Sequence, residues 1–255
     1  MTKRLIDLLL SAFGLLIASP VLLPVMFLVW RVDRHSPFYI APRVGRGGGA
    51  FSMVKMRSMV INADRKGSSS TSNTDRRITP VGHFIRRYKI DELTQLWNVF
   101  IGDMSLVGPR PQVQAGVDLY TARERELLGV QPGITDFASI VFADEGTILA
   151  GHPDPDRGYD QLIRPGKSAL GLFYVEHRGV VVDLQLIFLT LQTLVSRERA
   201  LAGVQSLLRG LGADTALVEL AGRRNALTPG VPPGAAEPPE QPAGRPLARD
   251  TRTGD

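Results

Sequence analysis

Leu8 to Trp30 contains no charged side chain, and no other stretch restricts the fold as strongly. About 20 apolar residues in a helix cross the hydrocarbon core of a bilayer, so a run of this length reads as membrane-associated. It is too long for the apolar region of a signal peptide, and no small-x-small cleavage site follows it. Ser19-Pro20 and Pro24 interrupt its middle, and each proline removes one helical hydrogen bond. Basic residues flank both ends, Lys3 and Arg4 before it and Arg31 and Arg34 after it, which leaves the orientation unassigned. The pattern permits a kinked, re-entrant helix that enters and leaves on one face, with Ser19 able to serve the backbone freed by Pro20. A simple transmembrane anchor is equally compatible with the residues alone.

The second informative stretch is 86–111, RRYKIDELTQLWNVFIGDMSLVGPRP. Ile90, Leu93, Leu96, Trp97 and Phe100 recur at helical spacing and predict one apolar stripe facing a core. Asp91 and Glu92 then fall in the first turn of that helix. Acidic residues there have a structural explanation, since a first turn favours negative charge by roughly 0.3 to 1 kcal/mol each. They also have a chemical one, because Arg86, Arg87 and Lys89 precede the pair and Gly108-Pro109-Arg110-Pro111 follows the helix. Two prolines hold Arg110 on a stiff, non-helical segment, which suits a guanidinium that grips phosphate. A solvated arginine in a connector is the competing explanation.

Residues 89–111 resemble the signature of the bacterial sugar transferases, the monotopic phosphoglycosyl transferases. In that family a Leu-Asp-Glu-Leu-Pro-Gln-like run precedes Gly-Asp-Met-Ser-Leu-Val-Gly-Pro-Arg-Pro. Gly102 to Pro111 matches the second part at every position, while the first part departs at Ile90 for Leu and Thr94 for Pro. The resemblance also takes in Ser19-Pro20, where the family bends a re-entrant helix. It extends to Arg43, Gly45, Phe51, Lys55, Arg57 and Met59, which match Arg-x-Gly followed by Phe-x-x-x-Lys-x-Arg-x-Met, although Ala41-Pro42 stands where a Gln is common. Ile78 to Arg87 resembles the family's approach to its catalytic helix. Gln131-Pro132-Gly133-Ile134-Thr135-Asp136 resembles Arg-Pro-Gly-Ile-Thr-Gly with both ends changed, and Pro165 to Val175 resembles a further segment.

Composition narrows the alternatives. The 255 residues have no cysteine, so no disulfide framework or thiolate metal site is available. The four histidines are scattered without ligand spacing, which argues against structural zinc. Net charge is +5, but residues 1–110 carry 16 Lys and Arg against 7 Asp and Glu, and residues 111–255 carry 14 against 18. A basic half suits phosphate esters, acidic lipid or nucleic acid. Gly47-Gly48-Gly49 is not a Walker loop, because no Gly-Lys-Ser/Thr follows. Aromatic residues in the basic half are too scattered for a nucleic-acid stacking platform.

The expected fold is α+β and mostly helical: a small membrane-associated domain with an N-terminal re-entrant membrane helix and short strands. Residues 1–34 form the membrane helix and its flanks, 35–196 the catalytic domain, 197–221 a C-terminal helix and 222–255 a disordered Pro/Gly-rich tail. Two strands surround the triple glycine, with Lys55 and Arg57 sharing a face, and 62–77 is a mobile loop. A helix is expected over Gln112–Gly129, a strand over Phe137–Phe142, an apolar helix over Asp183–Val195 and one helix over Ala200–Ala221.

The resemblance implies transfer of a sugar 1-phosphate from a UDP-sugar to polyprenyl (undecaprenyl) phosphate, through an aspartyl-phosphosugar intermediate with release of UMP. Asp91 is the implied nucleophile and Glu92 the implied ligand of Mg²⁺. Arg86 and Arg110 would hold substrate phosphate, with Lys55 and Arg57 as further candidates. Such an enzyme works on the cytoplasmic face of the bacterial inner membrane, in surface-glycan assembly, with the bilayer as partner and no nucleic acid. Oligomeric state and the sugar stay open. The rival is a membrane-anchored, non-catalytic module that binds anionic lipid or nucleic acid.

Overall fold

The structure is a computed structural model that describes residues 2–63, 75–150 and 152–236. Most of the loop expected at 62–77, and residues 237–255 of the expected tail, lie outside the described residues. Helix α1 spans Thr2–Asp33 and runs through both Pro20 and Pro24. Pro20 has no N–H for the Leu16 carbonyl, and the Ser19 hydroxyl donates to that same oxygen at 2.7 Å, as the sequence leads one to expect.

One side of α1 lies on the body of the protein, through Asp7, Ser11, Leu22, Val25 and Val29. The other side presents Leu9, Phe13, Leu16, Val21 and Phe27 to the surroundings. Both ends are tied down. Lys3 Nζ donates to the Val107 carbonyl at 3.1 Å and pairs with Asp183 at 2.5 Å. Arg4 donates to the carbonyls of Val99 and Phe100, and the Leu106 N–H donates to Asp7 at 3.0 Å. At the far end the Asp33 carboxylate holds Arg57.

Strands β1 (Phe38–Val44) and β2 (Ala50–Met56) form an antiparallel hairpin with Arg43 opposite Phe51 and Lys55 opposite Tyr39. The turn between them needs left-handed backbone at Gly47 and Gly48, which glycine adopts without steric cost. Helix α2 (Pro80–Arg87) is capped by Thr79, whose hydroxyl accepts from the Gly82 N–H. Lys89, at φ 53, then turns the chain into α3 (Ile90–Leu93), and α4 (Leu96–Ile101) follows after Thr94 and Gln95.

The single helix expected over this stretch is thus two short ones. Their buried side chains include Ile90, Gln95, Asn98 and Val99, while Trp97 is 48% exposed and stacks on Phe100. Asn98 is buried because it bonds the hairpin. The Val54 N–H donates to Asn98 Oδ1 at 2.9 Å, and Asn98 Nδ2 donates to the Ser52 carbonyl.

Strand β3 (Ser105–Val107) pairs in parallel with β4 (Gly133–Thr135). The approach is so close that a Cβ on Gly133 would stand 2.1 Å from the Gly108 nitrogen. Between them, residues 112–129 form only α5 (Gln114–Val117) and a 3-10 turn at Glu124–Gly129, not the continuous helix expected. The expected strand Phe137–Phe142 is instead α6 (Phe137–Val141), started by Asp136, whose carboxylate accepts from the Ser139 N–H. A short apolar run does not distinguish the two by periodicity, and the cap decides it.

The remainder is helical: α7 (Glu145–Ile148), α8 (Pro155–Gly158), a π turn through Tyr159–Ile163, α9 (Arg164–His177), α10 (Val180–Thr193), α11 (Arg197–Gly210) and α12 (Thr215–Gly222). Helices α11 and α12 replace the single helix expected over Ala200–Ala221, and Asp214 caps the second by accepting from Leu217 N–H. The main core joins α6, α9, α10, α11 and α12 through Phe137, Ile140, Leu170, Tyr174, Leu186 and Leu208. Each such side chain contributes about 1.5–3 kcal/mol on burial.

Residues 223–236 lack helix or strand but are not detached, contrary to the expected disorder from residue 222. The Gly230 N–H donates to the Gln161 carbonyl at 2.9 Å, and the Thr121 hydroxyl donates to the Pro233 carbonyl at 2.6 Å.

Candidate active site

A cleft of about 430 Å³ opens between the hairpin, α3 and the helices after residue 136, and Lys55, Arg86, Asp91, Glu92 and Arg110 all line it. Asp91 and Glu92 face different cations there. Lys55 Nζ stands 3.1 Å from Asp91 Oδ2, and Arg110 stands 3.0 Å from Glu92 Oε1. Local bonding explains both pairs. The Thr94 hydroxyl is 3.2 Å from the Val54 carbonyl and Asn98 takes the Val54 N–H, so both backbone groups of Val54 are fixed and the next residue, Lys55, is set against α3. Thr94 and Asp91 are linked as well, hydroxyl to carbonyl at 3.0 Å.

Arg110 is positioned by the parallel strand pair. Gly108 N–H donates to the Thr135 carbonyl and Gly133 N–H to the Pro109 carbonyl, each at 2.9 Å. The rigid segment read from Pro109 and Pro111 is therefore also hydrogen-bonded at its base. Burial alone would push the Glu92 carboxyl up, but Arg110, Lys89 and Lys55 outweigh it and hold the group at about 2. Glu92 in turn pushes the Arg110 guanidinium further into its charged form. Both are ionised at neutral pH.

Arg86 is half-buried and its Nε donates to Ser58 Oγ at 3.0 Å. Arg57 does not reach the cleft. Strand β2 ends at Met56, the alternation that would keep Arg57 beside Lys55 ends with it, and the guanidinium turns to Asp33 at 2.5 Å and to the Ser36 carbonyl at 2.8 Å. Its role is to hold the end of α1.

The cleft continues past the carboxylate pair. Lys167 pairs with Glu145, and its ammonium lies 5.3 Å from the centre of the Tyr159 ring. Gln112 donates to the Tyr159 hydroxyl at 2.9 Å. Burial pushes the Glu145 carboxyl up, but Lys167, Arg110 and Lys55 hold it below the usual range. Burial pushes the Asp136 carboxyl up in spite of its Ser139 bonds. Sequence reasoning singled out none of Gln112, Glu145, Tyr159 or Lys167 as site residues. Only Lys167, inside the matched segment after Pro165, carried a signal that could have found it. Gln131, one of the departures from the family pattern, donates to the carbonyls of Gly102 and Asp103 at 2.6 and 2.7 Å and so braces the loop after α4.

Among the described residues no group of three or more His, Asp and Glu side chains converges as a metal cage. Magnesium does not need one, since it is commonly held by one or two carboxylates with the rest of its shell from phosphate and water. Glu92, an ionised hard-oxygen donor on the wall of the cleft, fits that habit.

The family model described as "Bacterial sugar transferase" matches residues 1–197. An undecaprenyl-phosphate glucose phosphotransferase of Komagataeibacter xylinus is 38% identical over 74% of this chain and 35% of its own length. A putative undecaprenyl-phosphate N-acetylgalactosaminyl 1-phosphate transferase of Bacillus subtilis is 43% identical over 43% of this chain and 62% of its own length. The exopolysaccharide production protein ExoY of Sinorhizobium fredii is 30% identical over 74% of this chain and 84% of its own length. The chain thus spans about a third of the first of these relatives and most of the third. Residues 198–236, with α12 and nearly all of α11, lie beyond the family match.

Proposed function

Because this chain belongs to the bacterial sugar transferase family, we propose that it moves a sugar 1-phosphate from a UDP-sugar to undecaprenyl phosphate, with release of UMP. The observation that carries this reading is the neighbouring pair Asp91 and Glu92, each facing its own cation across one cleft. Two adjacent carboxylates with separate counter-charges are suited to two different jobs, one covalent and one electrostatic.

In this mechanism an Asp91 carboxylate oxygen bonds the sugar-bearing phosphorus, and the bond from that phosphorus to the bridging oxygen breaks, so UMP leaves with the electron pair. An oxygen of the acceptor phosphate then bonds the same phosphorus and Asp91 is released as carboxylate. Lys55, beside Asp91, steers the attacking carboxylate and balances its charge. Arg110 and Arg86 bind phosphate oxygens and stabilise the charge that builds on them. Glu92, fixed in its ionised form, would hold Mg²⁺. Bound there, the metal would neutralise phosphate oxygens.

The membrane placement we propose is one-sided: α1 dips into the leaflet that faces the body and returns, at the cytoplasmic face of the bacterial inner membrane. Two observations support it. The helix is long and apolar enough to enter a bilayer, and its two ends bond the same body, through Lys3 and Arg4 at one and Asp33 at the other. A helix crossing to the far side could keep only one of those sets.

The test is UMP release by the detergent-solubilised chain from a panel of UDP-sugars, with and without polyprenyl phosphate and Mg²⁺. The transferase reading requires release with one of these sugars and its loss in Asp91→Asn. A folded, membrane-bound protein that is silent on the whole panel favours the non-catalytic module.

A further inference from the structure

The cleft holds more cationic than anionic groups, and one cation has no assigned work. Four cation–carboxylate pairs are closed among its lining residues: Lys55 with Asp91, Arg110 with Glu92, Lys167 with Glu145 and Arg164 with Asp160. Arg86 at least has the Ser58 hydroxyl. Arg43 is also on the cleft wall and half-buried. Its one side-chain hydrogen bond is to the carbonyl of Pro42, at 2.9 Å, and it has no carboxylate partner among the described residues.

Strand geometry puts Arg43 there by necessity. Tyr39, Ala41 and Arg43 alternate onto one face of β1, and their partners Lys55, Met53 and Phe51 share that face on β2. The face that delivers Lys55 to Asp91 therefore delivers Arg43 too. The end of β1 is then fixed, because the Val44 N–H donates to the Gln112 carbonyl at 2.9 Å. Gln112 follows Arg110 by two residues, so the two guanidiniums are brought to the same cleft wall, where Glu92 is paired with Arg110. Burial presses hardest against the charged form of Arg43, Tyr39 acts the other way and the Arg110 charge adds to the burial, yet an arginine does not give up its proton in a protein. A desolvated, unpaired guanidinium beside another is costly unless an anion completes the arrangement.

We propose that Arg43 is a phosphate-binding residue, the partner of Arg110 in a two-guanidinium clamp on a phosphate ester entering the cleft. The planar fork of each arginine matches two phosphate oxygens. For the identity of the ligand the proposal rests on the transferase reading, which supplies two sources of the same chemistry, the donor diphosphate and the acceptor monophosphate.

The experiment compares wild type, Arg43→Ala, Arg43→Lys and Arg46→Ala as full chains in nanodiscs. Arg46→Ala removes the same charge from the exposed turn nearby and serves as control. Inorganic pyrophosphate binding is measured by calorimetry, and the apparent KM for UDP-sugar and for polyprenyl phosphate by UMP release. Arg43→Ala is expected to weaken pyrophosphate binding about tenfold or more, with Arg43→Lys recovering part of it and Arg46→Ala within about twofold of wild type. A raised KM for the UDP-sugar alone places the clamp on the donor, and a raised KM for polyprenyl phosphate alone places it on the acceptor. If no chain turns over but the binding loss is present, the clamp stands and the transferase reading fails. The proposal is overturned if folded Arg43→Ala or Arg43→Lys binds pyrophosphate as wild type does, if wild type does not bind it, or if Arg46→Ala loses as much as Arg43→Ala.

Discussion

Lys55 Nζ and Asp91 Oδ2 stand 3.1 Å apart, with the two side chains 21% and 12% exposed. The pair joins a strand to a helix turn and places a cation against the carboxylate assigned the attack on phosphorus. Replacing Lys55 by Met leaves Asp91 without that neighbour and removes one electrostatic support from the transition state. Single-turnover UMP release should slow by about 10²–10³-fold, with Arg in place of Lys retaining part of the rate. A Met variant with wild-type kinetics would remove Lys55 from the mechanism.

At Glu92 charge outweighs burial, and this predicts a pH effect. Its folded-state value falls from the ordinary 4.5 to about 2 because Arg110, Lys89 and Lys55 outweigh burial. A lowered folded value means that the contribution to stability is present above about pH 4.5 and is lost as pH falls towards 2. In Arg110→Met, burial is no longer opposed by its main cation and the folded value rises. Melting temperature followed from about pH 6 to pH 2 should decline at higher pH in the variant. Curves of the same shape for both proteins would contradict this account of the pair.

The Ser19 hydroxyl and Pro20 ring act on one carbonyl, that of Leu16. Ser19→Ala should destabilise α1 by about 1 kcal/mol or more in nanodiscs, because the carbonyl is left without a donor. In a Pro20→Ala background residue 20 regains its N–H and the same Ser19→Ala change should cost almost nothing. Thermal unfolding of the four proteins gives the coupling directly. Additive effects would mean that the serine serves another group.

Since the chain contains no cysteine, single thiols report topology without background. Thr2→Cys and His35→Cys mark the two ends of α1. One-sided anchoring predicts that a membrane-impermeant maleimide labels both in inside-out vesicles and neither in intact spheroplasts. Labelling of the two from opposite sides would establish a spanning helix.

Much of the site was legible in the sequence because its residues sit in one short, matched stretch. Asp91, Glu92 and Arg110 lie within 20 positions of each other, and Lys55 follows strand alternation from Phe51. Arg57 failed for a physical reason: alternation holds only while a strand lasts, and β2 stops at Met56. Trp97 fits the helical period but is exposed, while Asn98 is buried to hold β2; periodicity records apolar spacing and says nothing of polar side chains recruited by a neighbouring strand. The run from Phe137 became a helix through the Asp136 cap. Glu145, Tyr159 and Lys167 reach the cleft only through the packing of α7, the π turn and α9, a placement set by long-range contacts.

The central claim is that Asp91 carries the phosphosugar. Its most direct test is the intact mass of the chain after incubation with its UDP-sugar and Mg²⁺ in the absence of acceptor, followed by peptide mapping. The account predicts an adduct of one sugar phosphate on the peptide containing Asp91, one UMP released per chain, disappearance of the adduct on adding polyprenyl phosphate, and neither adduct nor UMP from Asp91→Asn. Sustained turnover by Asp91→Asn, or an adduct mapped to another residue, would contradict it.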